Sequence, residues 1–213
     1  MALFLDSAKV EDARRAAELG FVAGVTTNPS LLAEAGRPGL EVLHDLLGLT
    51  SGPVFYQVTA DTVLGRAEQA RGFAALAPGR VVVKIPATTE NLALTSRLAA
   101  EGIPCCVTAV SHPAQAYLSA LAGARYTVPY VNRLTRQLGD GIAVVRGCAA
   151  LIRGSSTRLL AASLKSVDEV VAALQAGADD VTLPLSLLLG LGDHELSQKA
   201  IDDFAAAAAR LAK

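Results

Sequence analysis

Val81-Val82-Val83-Lys84-Ile85-Pro86 is an apolar run interrupted by one lysine. Such a run reads as a strand buried on both faces, the mark of a parallel sheet covered by helices. Side chains alternate along it, so Lys84 shares one face with Val82, while Val81 and Val83 share the other. Seven further short, β-rich runs lie outward from it: Leu3–Leu5, Val22–Thr26, Val54–Val58, Cys105–Val110, Tyr126–Pro129, Leu159–Ala162 and Asp180–Leu183. Their carboxyl ends fall at Asp6, Thr26, Gln57, Lys84, Thr108, Tyr130, Ser163 and Leu183. The spacings run from 20 residues (Asp6 to Thr26) to 33 (Tyr130 to Ser163), each suited to one helix and two short loops. Eight strand–helix units close naturally into a ring. The expected fold is α/β, a TIM (β/α)8 barrel forming a single domain over residues 1–213, with an extra C-terminal helix.

Local signals agree. Ser166-Val167-Asp168-Glu169 reads as a capping box. Asn91 is expected to open the fourth helix and Glu101-Gly102 to end it, with glycine supplying the left-handed turn. Pro104 then leads into the next strand, and His112-Pro113 puts proline in the first turn of the next helix. Ile201, Phe204, Ala208 and Leu211 recur at helical spacing, predicting a final amphipathic helix that docks on its own barrel or on a neighbouring subunit. An open doubly wound sheet would need a glycine-rich turn after the first strand. Asp6-Ser7-Ala8-Lys9 stands there instead, Gly190-Leu191-Gly192 comes far too late, and no Walker A motif occurs.

Composition narrows the function. The 213 residues are 52% hydrophobic and 18% charged, with a net charge of −1, which argues against disorder. Charges are scattered, so no basic face invites nucleic acid or a membrane surface. Met1–Asp6 has no basic leader, and no stretch approaches a membrane span of about 20 apolar residues. A cytoplasmic location is the expectation. Cys105, Cys106 and Cys148 form no spaced framework, and His44, His112 and His194 are far apart, so no metal site is expected.

Barrel enzymes work at the carboxyl ends of their strands. Lys84 sits there among valines, where burial disfavours the ammonium form. A neutral lysine can attack a ketone to form a Schiff base. Lys165, beside the Ser166 cap, is expected in solvent, charged and suited to an anion. Asp6 needs a partner for a buried carboxylate, and Lys84 is a reasonable one. Thr26, Asn28, Gln57, Thr108 and Tyr130 complete the polar ring at the strand ends, although each alone is compatible with loop capping. His44 and His112 read as structural.

Four motifs then carry a resemblance: Gly24-Val25-Thr26-Thr27-Asn28-Pro29-Ser30, Val82-Val83-Lys84-Ile85-Pro86, Pro129-Tyr130-Val131-Asn132-Arg133 and Ala161-Ala162-Ser163-Leu164-Lys165. In this order and spacing they resemble the transaldolase family, most of all its small branch containing fructose-6-phosphate aldolase. The resemblance implies a class I mechanism on Lys84, with Asp6 orienting or deprotonating it. It implies that Gln57, Thr108 and Tyr130 work through a catalytic water, and that Asn28, Thr26 and Ser163 line the substrate site. Arg133, with Lys165, would hold a sugar phosphate. The resemblance also implies no cofactor and a homo-oligomer, a pentamer or decamer, with the last helix on a neighbour. Transaldolases typically carry Glu at Gln57, Asn at Cys106, Phe at Tyr130 and Arg at Lys165. The residues here lean toward an aldolase cleaving fructose 6-phosphate, with transaldolase as the alternative. Cys106 and Tyr56 match neither pattern.

Overall fold

A computed structural model describes residues 1–211. Eight strands, β1 (Ala2–Asp6), β2 (Val22–Thr26), β3 (Val54–Gln57), β4 (Val81–Pro86), β5 (Cys105–Val110), β6 (Tyr126–Pro129), β7 (Arg158–Ala161) and β8 (Asp180–Leu183), pair in chain order. All pairings are parallel, and β8 returns to β1 through Leu3↔Val181 and Leu5↔Leu183. The expected TIM barrel is therefore closed.

The helices depart from one per gap. α1 (Val10–Glu18), α4 (Val63–Leu76), α5 (Thr89–Ala100), α6 (Pro113–Leu121) and α9 (Val167–Gln175) are single crossovers. The two longest gaps each hold a pair: α2 (Pro29–Glu34) with α3 (Gly39–Leu49), and α7 (Val131–Leu138) with α8 (Gly141–Ile152). α10 (Leu185–Gly190) and α11 (Glu195–Leu211) follow β8. Thr88, not Asn91, caps α5: its side chain accepts from the Asn91 amide, and Asn91 lies one turn inside. Gly102 takes the expected left-handed conformation, φ 80°. His112 caps α6 in a full capping box with Gln115. Glu169 does not complete the box predicted at Ser166. The Ser166 hydroxyl accepts from the Glu169 amide, but the Glu169 carboxylate turns to the Lys165 amide (2.7 Å) and to Asn132 Nδ2 (2.8 Å).

Strand alternation builds two cores. Inside the ring, Phe4, Phe55, Val82, Cys106, Tyr126, Val128, Leu160 and Ala162 form an apolar plug. Phe4 and Phe55 meet edge to face at 5.3 Å, and Phe55 and Tyr126 lie 4.9 Å apart. Outside it, Leu5, Val25, Val54, Val81, Val107, Leu159, Val181 and Leu183 pack against the helices. Close approach of β2 to the β3 loop requires Gly24, where a Cβ would stand 2.3 Å from the Pro53 carbonyl oxygen. At the barrel bottom Asp180 is fully buried, and Arg158 clamps it through two hydrogen bonds of 2.5 and 2.6 Å.

The final helix does not dock on its own barrel. α11 buries none of its residues, and Ile201, Phe204 and Leu211 are 58%, 72% and 89% exposed. Its apolar stripe has the predicted periodicity, but among the described residues the barrel does not bury it. Among the described residues, no helix is long and apolar enough to cross a membrane.

Candidate active site

The apolar plug gives way to polar side chains at the carboxyl ends of the strands. Above it lies a cavity of about 240 Å³ lined by Asp6, Thr26, Asn28, Lys84, Tyr130, Arg133, Ser163 and Lys165, with Thr182 and apolar plug residues as its floor. Eight of the ten sequence-predicted site residues therefore share one chamber.

Lys84 is 5% exposed and lines the cavity with Phe55 and with Cys106, its partner on β5. Its Nζ donates to the Thr27 carbonyl at 2.6 Å. Asp6 is not its hydrogen-bond partner. Asp6 Oδ1 instead accepts from Thr26 Oγ1 at 2.8 Å, and Thr26 meets Thr182 Oγ1 at 2.6 Å. With Thr26 donating to the carboxylate, Thr182 must donate to Thr26. Burial raises Asp6 above the usual carboxylate value, against the lowering pull of Lys84 and of the Thr26 hydrogen bond. Asp6 and Lys84 thus act on each other through the field of the cavity.

Thr182 was missed by the sequence reading, which placed the end of the eighth strand at Leu183. Leu183 points into the outer core; the residue before it points inward. Counting alternation from buried Asp180 would have found it.

Opposite Asp6, the Tyr130 phenol lies 2.7 Å from Thr108 Oγ1, and the Arg133 guanidinium stacks 4.7 Å above the Tyr130 ring. Thr108 is buried behind Tyr130 and reaches the chamber through that phenol. Gln57 is not brought into the lining. It borders a neighbouring cleft with Tyr56, Gln69 and Phe73. Asn28 caps α2 by accepting from the Leu31 amide while it lines the chamber, so its capping and site roles coexist. Ser163 holds φ 59°, and its carbonyl accepts from the Asn132 amide. Glu169, bonded to Asn132 and to the Lys165 backbone, ties together the segments that carry Arg133 and Lys165. Both cations are exposed at the mouth. Burial pushes the Cys106 thiol up to about 12, so it is a neutral wall beside the Lys84 stem.

A buried amine, a nearby carboxylate with a raised proton affinity, a phenol held by a hydroxyl, and two cations at the rim suit a carbonyl substrate with an anionic tail. The family model described as Transaldolase/Fructose-6-phosphate aldolase matches residues 3–213.

The chain belongs to the transaldolase/fructose-6-phosphate aldolase family.

Relatives agree along its length. A protein named "Probable transaldolase" from Caulobacter sp. (strain K31) is 40% identical over 206 residues, covering 96% of this chain and 94% of that one. Another of that name, from Symbiobacterium thermophilum, is 37% identical over 206 residues, with 96% and 95% coverage. A third, from Desulforudis audaxviator (strain MP104C), is 39% identical over 211 residues, with 96% and 98% coverage. The chain is thus an enzyme of the transaldolase/aldolase type.

Proposed function

We propose that the enzyme is a class I aldolase that cleaves a ketose phosphate such as fructose 6-phosphate to dihydroxyacetone and glyceraldehyde 3-phosphate, and runs in reverse. Lys84 attacks C2, and loss of water leaves an iminium. Tyr130, through a water, takes the C4 hydroxyl proton. The C3–C4 bond breaks, its electron pair enters the iminium, and glyceraldehyde 3-phosphate leaves. The enamine is protonated at C3, and water releases dihydroxyacetone and the free amine. Arg133 and Lys165 hold the phosphate at the mouth, far from the reacting carbons, and supply orientation. Asp6, held by the Thr26 hydroxyl, manages the Lys84 proton through the field of the cavity. Asn28 and Ser163 contact the substrate chain.

The observation that carries this reading is the Tyr130 phenol on the chamber wall, hydrogen-bonded to Thr108, in the same chamber as a buried Lys84. A phenol can give and take the proton of the cleaved hydroxyl. The second reading, transaldolase, draws on the names of the relatives. It uses the same enamine, which waits for an aldose phosphate acceptor in the manner of the pentose phosphate pathway. The reaction needs no cofactor, and the proposed setting is the cytoplasm. The bare apolar stripe of α11 supports a homo-oligomer, a pentamer or decamer by resemblance.

Dihydroxyacetone release from fructose 6-phosphate, measured with and without erythrose 4-phosphate, separates the readings. Release without acceptor supports the aldolase, and release only of transfer products supports the transaldolase. Borohydride trapping with dihydroxyacetone should mark Lys84, and an adduct on Lys165 or none would end both.

A further inference from the structure

Ala109 and Ser163 are the two non-glycine residues with positive φ among the described residues, at 57° and 59°; Ala109 stands in β5 and Ser163 just after β7, the strands either side of the β6 end that carries Tyr130. At Ala109 the ladder slips: Thr108 pairs with Val128, but Val110 pairs with Pro129. Two steps of β5 thus oppose one step of β6, a bulge. The slip reverses the side-chain alternation. Cys106 lines the chamber and Val107 the outer core, so regular alternation would send Val110 inward. Val110 instead lies in the outer core, 1% exposed, with Val107. Regular pairing would have set Val110 against Tyr130, an isopropyl group with nothing to offer a phenol. The bulge removes it, and the neighbour left for the phenol is the Thr108 hydroxyl, at 2.7 Å.

The geometry points to Ala109 as a positioning residue: its left-handed bulge gives Tyr130 a hydroxyl partner in place of a valine. The inference rests on the reading above that Tyr130 moves the substrate proton. A residue in this backbone region serves through its φ and not through its side chain. Glycine is at ease there and a β-branched residue is not.

The test compares Ala109→Gly, Ala109→Val, Thr108→Val and Tyr130→Phe, with the double variant Ala109→Val/Tyr130→Phe. Measurements are kcat for dihydroxyacetone release from fructose 6-phosphate, its pH profile, the borohydride adduct on Lys84, and tyrosinate absorbance against pH, with Tyr130→Phe as the blank. Ala109→Gly should keep kcat within about twofold, whereas Ala109→Val and Thr108→Val should each lose about tenfold or more, part of what a positioned acid–base group contributes. The pH profile and the tyrosinate step should move with that loss, while the Lys84 adduct still forms. In the Tyr130→Phe background, Ala109→Val should cost little more. The inference is overturned if Ala109→Gly loses as much as Ala109→Val, if Ala109→Val loses as much without the phenol as with it, or if Thr108→Val leaves kcat and the tyrosinate step unchanged. Should Val at 109 prevent folding, Thr108→Val and Ala109→Gly carry the test. A missing Lys84 adduct in the parent enzyme would fail the aldolase reading. The tyrosinate step would still decide whether Ala109 sets the partner of Tyr130.

Discussion

Lys84 Nζ donates to the Thr27 carbonyl at 2.6 Å, while the nearby Asp6 carboxylate is held by Thr26. The proposed nucleophile is therefore parked on the backbone just past β2 and would have to leave that carbonyl to attack a ketone. The carboxylate stays free to exchange a proton, since it is not locked in an ion pair with the amine. Replacing Lys84 by Met should abolish both the borohydride adduct and dihydroxyacetone release. The fold should survive. The lost hydrogen bond costs about 1 kcal/mol, and relief from burying an amine offsets part of it. Urea unfolding checks this, and a loss above about 3 kcal/mol would mean that the lysine supports the barrel as well as the reaction.

Burial raises Asp6, so the folded state holds its proton more tightly than the unfolded chain does. The stabilising contribution is full below the ordinary value of 3.8 and is lost as pH rises through the raised folded value. Above the ordinary value the group therefore works against stability, and pH 7 lies in that range. Asp6→Asn should therefore melt higher than the parent at pH 7, with the gain shrinking as pH falls toward 3.8, while the acid limb of the rate profile changes. A melting difference independent of pH would contradict the electrostatic assignment.

Arg133 and Lys165 are the residues proposed to hold the phosphate. Lys165→Ala is the cleaner probe, because Arg133 also stacks on Tyr130. A charged hydrogen bond contributes about 1.5–3 kcal/mol, so KM for glyceraldehyde 3-phosphate in the synthetic direction should rise roughly 10- to 100-fold. KM for unphosphorylated glyceraldehyde should change little. Equal effects on both aldehydes would place the phosphate elsewhere.

Far from the chamber, Arg158 neutralises Asp180, which also accepts the Ala2 amide. Removing the arginine leaves a carboxylate buried without a cation. Arg158 is 39% exposed, so the usual cost of breaking a buried pair is reduced by solvent, to about 2–3 kcal/mol. Arg158→Ala should show that loss in urea unfolding with the Lys84 adduct unchanged, which would separate barrel stability from chemistry.

Much of this was legible in the chain. The eight runs matched eight strands because burial on two faces leaves an unbroken apolar signature, and Lys84 stood out as the exception within one. The helix count was less legible. The 31- and 33-residue gaps hold two helices each, and Gly39 and the Gly139–Gly141 stretch were the breaks that could have revealed them. Thr182 was overlooked by taking the last strand residue as the inward one. α11 was predicted correctly as a helix, but its periodicity could not say which surface it would meet.

By itself, the sequence determined the number of strands, their order, and the burial of one lysine, since alternation and hydrophobic runs are local properties of the chain. Only closure of the barrel decided that Asp6 would bond to Thr26 and Thr26 to Thr182, that Gln57 would border the next cleft, and that a bulge at Ala109 would hand Tyr130 the Thr108 hydroxyl. Those outcomes depend on register between strands far apart in the chain. A slip of one residue there exchanges the side chains facing the site for those facing the helices.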